Sequence, residues 1–329
     1  MDVRRLELLR ELSERGSIAA VAAATLRTPS AVSQQLKILE REAGVRLTTR
    51  VGRGVVLTDA GRALARTAAD VATAIEAAES LWEDFRSTPR GVVTLATFPT
   101  GGQMLLPGML TAIAAIPGLA VRCSDQEVAD FADLTSDYDI VLADSLNALN
   151  PAWVERGLTA VPLLSEPIDV ALRPDHPLAE KPALTPRDLS GEIWIGNAPG
   201  SPYDRILGQI ETVSGSAVHV AQRFYDNGIV EELVAAGHGI SILPRYTTRA
   251  HGLVTRPLRD IRSRRIIAAL MRPDHAVRPS MRVVVDALRE VGRQLEAANS
   301  VATAPAVVGP VTAAIPIIRD ATRSVGSPG

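Results

Sequence analysis

Between residues 64 and 85, apolar side chains return at spacings of 4, 3, 4, 3, 4 and 3: Leu64, Ala68, Val71, Ile75, Ala78, Trp82 and Phe85. The phase runs back through Gly61 to Leu57. A mean repeat of 3.5 residues marks a stripe held against another helix. The stretch therefore predicts one long helix that cannot bury its apolar side alone. A twin helix from a second copy of the chain is the simplest cover; packing on the chain's own body is the alternative. Thr58-Asp59 supplies the start signal, and after about Arg86 the run Ser87-Thr88-Pro89-Arg90-Gly91 reads as a hinge. The flanks of this rod read differently from each other.

On the N-terminal side, Val3, Leu6, Leu9 and Leu12 recur every third residue, a helical face that Gly16 ends. Ser17 can cap a short Ala-rich helix over residues 18 to 26. Thr28 is a good N-cap for a third helix, and Pro29 suits its first position, where a missing N–H costs nothing. That helix runs to about Glu42 and stops at Gly44. Two short helices about a tight turn outline a helix-turn-helix. Val32, Leu36, Leu39 and Ala43 form the packing face of the third helix. Ser30, Ser33, Gln34, Lys37 and Arg41 lie off that face, behind the Thr28-Pro29 tip. Short or amide side chains near the tip and cations further along suit a helix entering a major groove tip-first, although an ordinary amphipathic helix shows the same division. In residues 46 to 58, RLTTRVGRGVVLT, extended pieces flank the Gly-punctuated turn Val51-Gly52-Arg53-Gly54. Arg46, Arg50 and Arg53 make that hairpin basic, as a wing gripping the flanking backbone would be.

Charge follows the same boundary. Residues 1–66 hold 12 basic and 7 acidic side chains, a net of +5; the other 263 hold 23 and 30, a net of -7. Chance clustering would look the same, but a basic head on an acidic body suits a polyanion partner for the head alone. No aromatic residue precedes Trp82. Readers of single strands usually stack bases on aromatics, so duplex DNA is the better candidate.

From residue 92 the pattern becomes α/β. Apolar strands are expected at 92–98, 119–124, 139–144, 158–164, 168–173, 192–197, 217–224, 240–244 and 265–272. Helices are expected from Pro99 to about Ile116, between 124 and 139, at 202–213, at 227–236 and at 279–297. The chain passes between two α/β units near 165–168 and 256–264, which predicts a cleft able to close on a small ligand. Residues 298–329, with four prolines among Ala, Val, Thr and Gly, are expected to be mostly disordered.

At this point the residues resemble a known family. Gly16-Ser17, Ser30-Ala31-Val32-Ser33, Leu36, Leu39-Glu40, Gly44, Leu47, Arg50, and Leu57-Thr58 with Gly61 are similar to the DNA-binding head of LysR-type transcriptional regulators. PDHPLAE (174–180) and AAGHGISILPR (235–245) resemble phrases of that family's effector domain. Position 48 is Thr where the family usually has Phe, Leu26 stands one place late, and Gln34 replaces a frequent basic residue. The resemblance implies a winged helix-turn-helix head (1–60), a linker helix for dimerisation (58–88) and a two-lobed, periplasmic-binding-protein-like (type 2) effector domain (91–297). Lobe 1 would be about 91–165 plus 262–297, and lobe 2 about 166–261. It also implies a homodimer or tetramer on interrupted inverted repeats of duplex DNA, a small effector in the cleft and contact with RNA polymerase.

Thr28, Pro29, Ser30, Ser33, Gln34, Lys37, Arg41, Arg50 and Arg53 are the expected DNA contacts. For the effector, Phe98-Pro99-Thr100-Gly101-Gly102 follows a strand and opens a helix, so free N–H groups and the Thr100 hydroxyl can receive a carboxylate or other anion. Asp144, Asn197, Tyr225, Asp226 and Asn227 are the other candidates. No cofactor or metal is expected: His176, His219, His238, His251 and His275 share no ligand spacing, and no catalytic motif stands out. Cys123 is alone and reads as a small core residue rather than a redox sensor. There is no run of about 18 apolar residues and no export signal, so the cytoplasm is the expected compartment. A cytoplasmic small-molecule-binding protein without a DNA role remains the alternative.

Overall fold

The computed structural model describes residues 1–52, 54–85, 89–126, 130–248 and 252–302. Arg53, the side chain of Phe85 and residues 303–329 lie outside the described residues. The head consists of α1 (Val3–Arg15), α2 (Ile18–Ala24), α3 (Pro29–Ala43) and an antiparallel hairpin of β1 (Thr48–Val51) with β2 (Gly54–Leu57). Each helix begins where a side chain accepts an otherwise orphan N–H: Asp2 from Arg4, Ser17 from Ala20, Thr28 from Ala31. Such caps contribute about 1 kcal/mol each. Leu9, Leu12, Val21, Val32, Leu36, Leu39 and Leu47 close a small core among these helices. Thr48 anchors the wing by polar contacts: Glu40 Oε1 accepts from its N–H and its hydroxyl, both at 2.9 Å, and from Leu47 N–H at 3.0 Å.

The second helix is shorter than its expected span. Leu26 N–H donates to Ala23 O and Arg27 N–H to Ala22 O, the paired bonds of a Schellman stop. Leu26 occupies the left-handed position of that stop at φ 53° and is 96% exposed, so this leucine does not reach the core.

The long helix, α4 (Asp59–Phe85), corrects the expectation of one continuous seam between copies. Leu64 and Ala68 are packed into the head's own core, because α1 of the same chain lies along this end of α4. Val71 is half-buried, whereas Ile75, Ala78 and Trp82 are exposed. Only that distal part of the stripe offers surface to a second chain. Gly61 sits where α4 crosses the head, and a Cβ there would stand 2.0 Å from Leu47 O.

The body is built on one mixed sheet. Its strands are β3 (Gly91–Thr97), β4 (Leu119–Asp125), β5 (Ile140–Leu146), β6 (Thr159–Leu172), β9 (Ser241–Pro244), β10 (Val254–Arg256) and β11 (Arg264–Met271). The order is β10-β6-β11-β5-β3-β4, with β9 also on β6. Helices α5 (Pro99–Ile113), α6 (Pro151–Glu155), α9 (Pro273–Ala276) and α10 (Pro279–Ala302) belong to the same lobe as β3, β4 and β5. The second lobe adds a parallel pair, β7 (Ile193–Asn197) and β8 (His219–Phe224), with α7 (Pro202–Ser214) and α8 (Asn227–Ala235). The two strands expected at 158–164 and 168–173 are one strand. Residues 159–167 of β6 pair with β11 in the first lobe, and residues 168–172 pair with β9 and β10 in the second. Each lobe has its own apolar core. A 3₁₀ turn at Phe131–Ser136 stands where a helix was expected before β5.

Only the start of the expected tail, residues 298–302, is corrected. α10 continues through it to Ala302, with Asn299 Nδ2 donating to Leu295 O at 2.8 Å and no proline before Pro305.

Head and first lobe meet through charge. Arg272 reaches Glu11 and Glu14, each at 3.3 Å, and holds Asp274 at 2.8 Å; Arg10 reaches Asp274 at 3.5 Å and Glu14 at 3.4 Å. Burial, reinforced by Glu11, Asp274 and Glu7 and opposed by Arg10, raises the Glu14 carboxyl to about 7.

Two outcomes are expected. Gly61→Ala should destabilise the chain by at least about 1–3 kcal/mol, read as a lower unfolding temperature, since Leu47 backbone has to shift. Glu14 has a folded pKa above its unfolded one, so its contribution is present at acid pH and is lost as pH rises towards about 7. Thermal stability of the wild type, relative to Glu14→Gln, should therefore fall across that rise; parallel curves would contradict the burial of this carboxyl.

Candidate DNA-binding surface and effector cleft

α3 presents its polar side outward. Val32, Leu36 and Leu39 are buried, while Thr28, Pro29, Ser30, Gln34, Lys37 and Arg41 are exposed and Ser33 is half-exposed. Thr28 Oγ1 caps the helix, accepting from Ala31 N–H, and lies 3.2 Å from Ser30 Oγ. The first N–H groups of the helix point outward with the positive end of the helix dipole, a natural contact for a phosphate. Arg50 is exposed on β1, opposite Val55. Lys37, Arg41 and Arg46 border a shallow hollow between the end of α3 and the start of the wing, with Glu40, Gly44 and Val45. The cationic flank of α3 and Arg46, just before the wing, thus border one accessible hollow.

The other candidate residues gather around a side chain that the sequence reading passed over. Arg265, the second residue of β11, is 1% exposed. Its Nε donates to Glu166 Oε2 at 2.7 Å, and Nη1 donates to Thr100 Oγ1 at 2.9 Å and to Tyr203 OH at 3.0 Å. The guanidinium also lies 5.5 Å from the centroid of the Phe98 ring, within cation–π range. Thr100 and Phe98 belong to the first lobe, Tyr203 to the second, and Glu166 to the crossing point of β6. One cation therefore bridges both lobes.

Glu166 is fully buried, and its Oε1 accepts from Tyr246 N–H at 2.6 Å. Burial raises its carboxyl pKa, against the pull of Arg265. Burial likewise raises the pKa of Asp144, against the pull of Arg265 and Arg205, although part of the residue still meets solvent. The Tyr203 phenol is pushed up to about 12 by burial and stays neutral. Asn227 stands near that phenol and accepts from Asn197 Nδ2 at 2.7 Å. Asn197 is buried, and its Oδ1 has no protein partner.

Comparison with known proteins places this architecture. Residues 3–62 match the bacterial regulatory helix-turn-helix protein family of the lysR type, and residues 86–293 match the LysR substrate binding domain. The chain belongs to the LysR family. This LysR-type transcriptional regulator thus has a helix-turn-helix DNA-binding domain and an effector-binding domain; members of the family bind DNA and small effectors, and oligomerise. It is 27% identical over 297 residues to the DNA-binding transcriptional dual regulator OxyR of Escherichia coli K12, covering 88% of this chain and 95% of that protein. It is 28% identical over 290 residues to the transcriptional activator protein LysR of the same strain, covering 86% and 90%. Its fold is similar to a full-length OxyR from Pseudomonas aeruginosa, at a TM-score of 0.62 and 19% identity, covering 89% of this chain and 97% of that one.

Within the LysR-type chain, Phe98, Thr100, Asp144, Asn197 and Asn227 converge on the Arg265 cluster. Gly101 is beneath the Phe98 ring, where a Cβ would come within 2.7 Å of it. Pro99 borders a different hollow, lined also by Gln103, Cys123 and Asp125. Two expectations are corrected. Tyr225 is 77% exposed and stands apart from the cluster, since it falls in the exposed turn between β8 and α8. Asp226 caps α8, accepting from Gly228 N–H at 2.7 Å, which holds its carboxylate on its own helix. Arg265, Glu166 and Tyr203 were missed. For Arg265 and Glu166 the one signal was a charged residue at the edge of an apolar strand; Tyr203, at the start of α7, gave none.

Arg265→Met should cost about 3–5 kcal/mol in denaturant unfolding, because it leaves Glu166 buried without its cation. Pairing it with Glu166→Met should recover most of that loss. A single-variant cost below about 1 kcal/mol would mean that the pair is not formed.

Proposed function

We propose that this regulator binds an interrupted inverted repeat of duplex DNA near a promoter, as a homodimer joined through the distal stripe of α4, or as a tetramer of such dimers. The observation that carries the reading is the exposed row along α3, from Ser30 and Gln34 to Lys37 and Arg41, on a helix whose opposite face is locked in the head core. Ser33 and Gln34 would meet base edges, and Lys37, Arg41, Arg50 and Arg53 would meet phosphates. The output would pass to RNA polymerase. No helix among the described residues is long and apolar enough to cross a membrane, and we place the protein in the cytoplasm with its DNA.

In the cleft, Arg265, the Thr100 hydroxyl and the uncapped N–H groups opening α5 favour an acidic group on the effector. Asp144 and the free Oδ1 of Asn197 are acceptors that favour a donor such as an amine or hydroxyl. A small polar molecule bearing both would satisfy the two lobes at once. Several relatives are named as hydrogen peroxide-inducible gene activators. That role is not carried over: this chain has one cysteine, half-buried, whose thiol pKa is raised by burial, and a reactive thiol needs the opposite shift. Among the described residues, no group of three His, Cys, Asp or Glu side chains could hold a metal.

The test is duplex binding by the full chain, using sequences selected from a random pool, across a salt series. Lys37→Ala and Arg41→Ala should each weaken all sequences alike and reduce the salt slope by about 1. Gln34→Ala should change preference at a base pair by about 1–3 kcal/mol while leaving the slope unchanged. A chain that ignores duplexes in dilute buffer, or a Gln34→Ala variant with unaltered preference, would refute this docking of α3.

A further inference from the structure

The charge cluster between head and first lobe is of a different kind from either core. Arg10, Glu11, Arg272 and Asp274 are each less than a tenth exposed. α1 contributes Glu7, Arg10, Glu11, Glu14 and Arg15; the lobe contributes Arg272 and Asp274, with Asp137 and the Ser136 carbonyl receiving Arg15 at 3.0 and 2.7 Å. A surface held by apolar side chains resists opening, since separation exposes them to water. A surface held by ions differs. Its Coulomb attraction is offset by the hydration that each ion regains on separation, so the net cost of opening is small. Arg10 keeps Glu7 and Glu14 when the surfaces part, and Arg272 keeps Asp274. Both halves remain satisfied apart.

The position of the lobe half matters as much as its chemistry. Arg272 follows β11 directly, and Arg265 begins the buried part of the same strand seven residues earlier, about 23 Å away at strand rise. The turn after β11 also holds α4: Arg278 grips Glu76 through two bonds of 2.8 and 2.9 Å, and Ser80 donates to Val277 O at 2.8 Å.

We propose that the segment Arg272–Arg278 is a reversible latch: it holds α1 and α4 on the first lobe through ions, and, hanging from the end of β11, its grip follows the state of Arg265 in the cleft. Only the second half of this proposal rests on the cleft reading above. An effector that draws Arg265 towards itself moves the strand that carries Arg272, and the head gains or loses its fixed orientation. The head–lobe contact thereby becomes the step that turns cleft occupancy into the spacing of two DNA-binding heads.

Spin labels at Val45→Cys in the head and Val154→Cys in the first lobe, both exposed sites, test this in the full-length chain with Cys123→Ser as background. Labelled chains are diluted into excess unlabelled chain so that only distances within one chain are read, without DNA or ligand. The parent should give one narrow distribution that lengthens and broadens as salt is raised. Arg272→Gln and Asp274→Asn should each lengthen it in low salt. Arg15→Gln, at the exposed edge of the contact, disturbs folding least and should shift it in the same direction by a smaller amount. Distributions that stay at the parental value in all three variants would overturn the latch. Thr100→Val combined with Tyr203→Phe removes two acceptors of Arg265 and should also lengthen the separation; an unchanged value would overturn transmission along β11. A cleft that binds no ligand would sink the effector reading and leave the salt and Arg272→Gln results standing.

Discussion

The buried guanidinium of Arg265 is the constraint around which the effector domain is arranged. A cation with 1% exposure cannot be left to water, so it gathers protein acceptors, with Nη2 meeting Glu166 as an ion pair rather than through a hydrogen bond. Glu166 supplies the counter-charge from the crossing point of β6; Thr100 and Tyr203 supply neutral oxygens from opposite lobes. The lobes are therefore tied to each other through one side chain. A ligand that enters has to replace those contacts in kind. This explains why the lining is polar and why two of its carboxyls sit above their ordinary pKa range. The chain has, in effect, filled its own cleft.

The long helix divides its labour between two kinds of contact. Its first turns belong to the head, where Leu64, Ala65 and Ala68 complete a core that three short helices could not close by themselves. Its middle rests on the effector domain through Glu76 and Ser80. Ile75, Ala78 and Trp82 remain outward. A single heptad repeat in the sequence thus serves an internal core at one end and an outward surface at the other. Periodicity reports that a face is buried, without naming what buries it.

Much of the architecture was legible from the residues. Thr28-Pro29 and Gly44 bracket α3 because a cap, a ring-locked φ and a left-handed stop act locally, within one helical turn. Apart from β10, a three-residue strand that was not expected, the lobe strands were visible as apolar runs between turn signals, to within a residue or two at most ends. Less visible was anything decided by distant partners. Glu166 and Arg265 are 99 residues apart, and each looks like a surface charge at a strand edge. Tyr225 and Asp226 sat beside Asn227 in sequence, yet only Asn227 turns inward, because α8 starts there and Asp226 is used to cap it. The turn at Leu26 has the same lesson in reverse. An apolar residue promised a core contact, but the backbone bonds that close α2 put it in the left-handed position and left its side chain in water.

β6 runs unbroken from Thr159 to Leu172 and belongs to both lobes, with its ladder partner changing from β11 to β9 and β10 partway along. The lobes are therefore joined by a pleated ribbon as well as by the segment before β11. A pleated strand yields mainly by twisting and coiling. Relative movement should then be a torsion of limited travel with a restoring force, in the manner of a leaf spring, and the two halves should return to register whenever the load is removed.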